Sequence, residues 1–160
     1  MSKSGNESES VIGLWKFLEN KESYPHQPQS VKHIQTHISH VFMVPPFVYK
    51  FKKSVDFGFL DYSTLEKRKH YCEREVELNR RLCSDIYLGV VPISKRGDAF
   101  TFSSESSGEI VEYAVKMKML DAQYFLYSYI ESDRLTNQHL DRVADKLAKF
   151  YLQQEPNDEV

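Results

Sequence analysis

Residues 64–83, TLEKRKHYCEREVELNRRLC, contain no glycine or proline and repeat their apolar side chains every three or four positions. That period predicts the longest helix of the chain over 64–83, with Ser63 and Glu66 as a capping box. The stretch before it has the opposite period. In FVYKFKK, residues 47–53, Phe47, Tyr49 and Phe51 alternate with Val48, Lys50 and Lys52, the pattern of a strand with two unlike faces. A two-faced strand that leads through a short loop into a long amphipathic helix limits the chain to a few architectures.

The helix carries an anomaly. On a wheel of about 100° per residue, Leu65, Tyr71, Cys72, Val76, Leu78, Asn79, Leu82 and Cys83 form one apolar arc, and Glu66, Glu73, Glu77, Arg80 and Arg81 lie opposite. Glu75 falls inside the apolar arc, with Arg68. A carboxylate on a buried face is costly unless a cation meets it. Lys50, in the middle of the preceding strand, is the first candidate, and Lys52 on the same face is the second. Two plainer readings remain open: Glu75 paired with Arg68, and Lys50 as an ordinary edge-strand lysine.

The other elements follow from local pattern. A short amphipathic helix is expected at about 8–20, and KESYPHQPQS at 21–30 reads as a linker. Residues 31–44 read as two short strands or one bent one, and Pro45-Pro46 as a turn. Strands are expected at 87–93, 99–102 and 109–117, then helices at about 121–131 and 137–152. Hairpins with one inserted helix make an α+β fold, since a doubly wound sheet needs a helix after nearly every strand.

Composition excludes several classes. A net charge of -2 gives no basic footprint for nucleic acid. No apolar run reaches the roughly 18 residues of a membrane span, and the amino terminus lacks a secretory pattern, so a cytoplasmic location is expected. Cys72 and Cys83 stand about 16 Å apart along one helix, too far for a disulfide, and read as buried thiols. His33, His37 and His40 have the spacing of metal ligands on a helix. On one continuous strand His40 would point away from the other two, so no metal site is expected.

Taken together, FVYKFKKSVDFGFLDYSTLEKRKHYCEREVELNRRL, IYLGVVPI and VEYAVKMKML resemble a bacterial family related to the aminoglycoside phosphotransferases, some members of which carry a further carboxy-terminal P-loop domain. The resemblance runs from about Ile34 to about Phe150. It implies a protein-kinase-like amino-terminal lobe at 31–120, preceded by a helix and linker at 1–30 and followed at 121–160 by the start of a truncated helical lobe. It also implies ATP as cofactor, with magnesium, and phosphoryl transfer to a small molecule. Lys50 would then touch the nucleotide phosphates and Glu75 would position it. Val48 would line the adenine, Met117 and Met119 would mark the hinge, and Thr36 and Ser39 would stand where kinases place a glycine-rich loop.

Departures from the family pattern bear on activity. The 36–39 loop has no glycine, Pro45-Pro46 stands where Gly and Asp are usual, and no His-Gly-Asp run or later metal-binding Asp is present. The expectation is a nucleotide-binding half that is inactive alone, with no catalytic residue of its own. The alternative is a non-catalytic nucleotide-binding or protein-interaction module. If the chain is such a half, its apolar carboxy-terminal helices are expected to self-associate or to meet a partner supplying the missing lobe.

Overall fold

The period-two stretches pair into one antiparallel sheet. In the computed structural model, which describes residues 4–103 and 108–154 with side chains from Ile12 onward, helix α1 (Ser4–Glu19) is followed by a 3-10 turn at Lys21–Ser23. Strands β1 (Lys32–Gln35), β2 (Ser39–Val44) and β3 (Phe47–Lys52) come next, then α2 (Leu65–Cys83). Strands β4 (Tyr87–Arg96), β5 (Ala99–Thr101) and β6 (Glu109–Lys118) complete a six-stranded sheet in the order β1-β2-β3-β6-β4-β5. The α+β class is as expected.

Alternation divides the sheet into two faces. Phe42, Val44, Tyr49, Phe51, Ile93 and Ala114 pack on α1 through Leu14 and Leu18. On the other face, Val115 and the partly buried Val90, Tyr113 and Met117 meet Cys72 and Val76 of α2. Burying each large side chain of these two layers contributes about 1.5–3 kcal/mol.

Several boundaries move for physical reasons. The N-cap of α2 is Thr64, whose hydroxyl accepts from Lys67 N–H, one residue beyond the Ser63 cap expected. Tyr71 and Leu78 are exposed, because the buried stripe runs through Arg68, Cys72 and Val76. The 21–30 segment is no loose linker. Its Tyr24 is fully buried, donates to Leu18 O and packs against Tyr49 and Phe102, joining Leu14 and Leu18 in the core of the sheet. Of the two thiols, Cys72 is buried and Cys83 is exposed, so the expectation of two buried cysteines holds for one.

The chain divides into two compact units, Met1–Met119 and Leu120–Val160. The second contains a 3-10 turn at Ala122–Tyr124, then α3 (Leu126–Glu131) and α4 (Asn137–Leu152). The single helix expected at 121–131 is interrupted at Phe125, which is extended between the 3-10 turn and α3. Helix α4 carries exposed Leu140, Val143, Leu147 and Tyr151 along its length. Among the described residues, no helix is long and apolar enough to cross a membrane.

Candidate functional site

Helix α2 lies across β4 and β6 with its Glu75 side directed towards β3. Lys50 and Lys52 are two apart on β3, so both rise from the α2 face of the sheet. Lys50 Nζ donates to Glu75 Oε1 at 2.9 Å, and Lys52 Nζ donates to Glu75 Oε2 at 2.9 Å. One carboxylate thus bridges two ammonium groups. The Lys50 side chain is 31% exposed, that of Lys52 5% and that of Glu75 14%, which places Lys50 at the open margin and Lys52 inside.

Burial opposes charge on Glu75, but the hydrogen bonds and charges of Lys52 and then Lys50 outweigh it and hold its pKa below the usual carboxylate value. Burial likewise works against the Lys52 ammonium, and Glu75 more than restores it, leaving the lysine pKa raised. Desolvation pushes the neighbouring Cys72 thiol up to about 12, so it carries no thiolate at neutral pH. Asn79 donates to Glu75 O one turn on.

Register shows what lies beside the pair. Val48 faces Met117 across β3 and β6, and Met43 across β2 and β3, while Lys50 stands opposite Val41 and Val115. Ile34 adjoins Val41 from β1 and is exposed, and Val41, Met43 and Val48 are partly exposed. The result is an accessible apolar strip with an ammonium group at one end.

The remaining residues expected at the site divide. Thr36 lies in the β1–β2 turn, where its hydroxyl accepts from Ser39 N–H and holds the turn closed. Ser39 is 1% exposed, and its hydroxyl has no hydrogen-bond partner among the described residues. It therefore presents no donor to the open face, contrary to its expected place among phosphate contacts. Met119 N–H donates to Pro46 O at 2.8 Å, and Lys118 N–H to Ile86 O, so the amides at this end of β6 are engaged within the fold. Met117 packs on α2 beside Val115.

Sequence reasoning missed two features. Arg68 does not meet Glu75; its Nε donates to both carboxylate oxygens of Glu112, at 3.0 Å each, and its Nη1 to Tyr62 O. Buried Glu112 has a raised pKa, desolvation exceeding the help from Arg68. The second is a histidine pair. His33 Nε2 lies 3.0 Å from His40 Nδ1, and Trp15 stacks on His40 with ring centroids 4.1 Å apart. The hairpin at 36–39 reverses the chain and brings both rings to one face, so the expectation that His40 points away from His33 is overturned. No group of three possible metal-binding side chains occurs among the described residues.

No family model matches the chain, and no solved structure matches it. Among curated proteins it is similar to uncharacterized protein Mb2027c of Mycobacterium bovis and to uncharacterized protein Rv2004c of Mycobacterium tuberculosis. Each is 31% identical over 123 residues, covering 77% of this chain. The chain spans 23% of the length of these curated relatives.

Proposed function

We propose that the Met1–Met119 unit binds a nucleotide and corresponds to the nucleotide-gripping half of an ATP-dependent small-molecule phosphotransferase. The observation that carries this reading is the Glu75 carboxylate holding Lys50 at the end of an accessible apolar strip. An ammonium group has three donors, and Glu75 engages one of those on Lys50, so the others are available to phosphate oxygens. Val48, Met43 and Met117 offer the flat apolar surface that a purine ring needs.

The fit to ATP is partial. Lys50 and the strip suit a base and one or two phosphates. The engaged Met119 amide and the buried Ser39 hydroxyl remove two of the expected contacts. No group of three possible metal-binding side chains occurs among the described residues, and the second reading is a nucleotide-binding module without turnover. Bound ATP would supply the phosphoryl group, and residues of this unit would orient it without activating an acceptor.

Calorimetric titration of the full chain with ATP and magnesium tests the proposal. The expected dissociation constant is about 0.1 mM or weaker, and Lys50→Met abolishes the heat signal. Undetectable binding at millimolar ATP overturns the nucleotide reading. Sustained ATP hydrolysis by the chain overturns the reading of a unit without turnover.

A further inference from the structure

The two central strands part company beyond Phe51 and Ala114, the last pair in the β3–β6 register. Strand β3 continues on β2 as far as Lys52, and β6 continues on β4 as far as Glu109. The fork opens a cleft of about 440 Å³, with Lys52 and Lys53 on one prong and Val111 and Glu112 on the other. Trp15 from α1 and Phe100 from β5 wall it with aromatic surface, and Arg68 of α2 reaches into it. That volume suits a small organic molecule.

Positive charge exceeds negative charge in the cleft lining. Three cations and one carboxylate line it: Lys52, Lys53, Arg68 and Glu112. Glu112 answers Arg68, and Glu75 answers Lys52 from outside the cleft. Lys53 donates only to the side-chain oxygen of Gln35, a neutral acceptor that also lines the cleft, and meets no carboxylate among the described residues. His40 stands at the same wall. Its pKa is pushed down to about 4 by burial, then by Lys53 and His33, so it adds no charge near neutrality.

We propose that this cleft is a binding site for a small organic monocarboxylate with a flat apolar body, the carboxylate on Lys53 and the body against Trp15 and Phe100. A polyanion fits less well, because the other two cations already hold buried carboxylates and the walls are apolar. An uncharged apolar molecule makes no use of the partly exposed Lys53 ammonium group. The site does not depend on the nucleotide reading, since it lies past the fork and uses neither Lys50 nor Val48.

Trp15 is the chain's single tryptophan and therefore reports on this cleft. Benzoate is the probe, with benzyl alcohol and inorganic phosphate as comparisons, read by Trp15 emission and by its indole N–H resonance. Benzoate should shift both saturably, with a dissociation constant of about 1 mM for so small a probe. Benzyl alcohol should bind at least about fivefold more weakly, phosphate should move neither signal, and Lys53→Gln should weaken benzoate about fivefold. Val111→Phe, which narrows the cleft without touching Lys53, should also weaken it, with the circular dichroism of both variants unchanged. No saturable benzoate shift overturns the proposal. Equal binding of benzyl alcohol, or full benzoate affinity in Lys53→Gln, overturns the carboxylate assignment, and phosphate matching benzoate overturns the apolar body.

Discussion

Lys52 approaches Glu75 as closely as Lys50 does, each at 2.9 Å and each on its own carboxylate oxygen. The two lysines differ in burial, and that difference determines what each contributes. Removing Glu75 strands a nearly sealed ammonium group at Lys52, and an uncompensated buried charge costs far more than a lost surface contact.

Glu75→Gln should therefore destabilise the chain by about 3 kcal/mol in urea unfolding, against about 1 kcal/mol or less for Lys50→Met. Equal losses for the two variants would show that Lys52 finds another partner. Acid should reproduce part of the Glu75 loss. Its folded pKa lies below the unfolded value of about 4.3, so its contribution is complete above that pH and falls away as pH drops through the folded value.

His40 acts over a higher range of pH. Burial lowers its pKa from 6.5 to about 4, so the unfolded chain binds the proton more readily. Stability contributed by the neutral ring is complete above about pH 6.5 and is lost as pH falls from there towards 4. Because the ring is partly solvated, the loss should be about 1 kcal/mol. His40→Phe should flatten this segment of the stability profile, and an unchanged slope would show that another group titrates there.

The two thiols should separate chemically. Cys83 is exposed, while Cys72 is buried with its pKa near 12, and the thiolate is the reactive form. A disulfide reagent at pH 8 should modify one cysteine per native chain quickly and the second only after denaturation. Rapid modification of both would show that α2 lifts from the sheet under native conditions.

Local pattern revealed much of this arrangement, and its failures share a cause. Alternation in FVYKFKK placed Lys50 and Lys52 on one face, and the apolar arc of α2 singled out Glu75, because both signals lie within one element. The Arg68–Glu112 pair joins residues 44 apart and has no local signature. Treating 31–44 as a possible single strand inverted the parity of His40, since a hairpin changes which residues share a side. Tyr24 sits among prolines and polar residues that suggest a linker, and only the sheet arriving later in the chain buries it. Alternation shows the face of a strand and not the depth at which α2 crosses it, so it does not reveal that Lys52 is the more buried of the two lysines.

The sealed hydroxyl of Ser39 has a consequence for how this fold responds to laboratory selection. It sits fully buried without a hydrogen-bond partner among the described residues, and an orphaned polar group of that kind costs about 1–3 kcal/mol. Alanine removes the hydroxyl and leaves a gap no larger than one oxygen atom. Ser39→Ala should raise the urea midpoint, whereas most buried truncations lower it. Changes at this position are then expected among those that a library screened for heat resistance would return, and they would harden the β1–β2 hairpin.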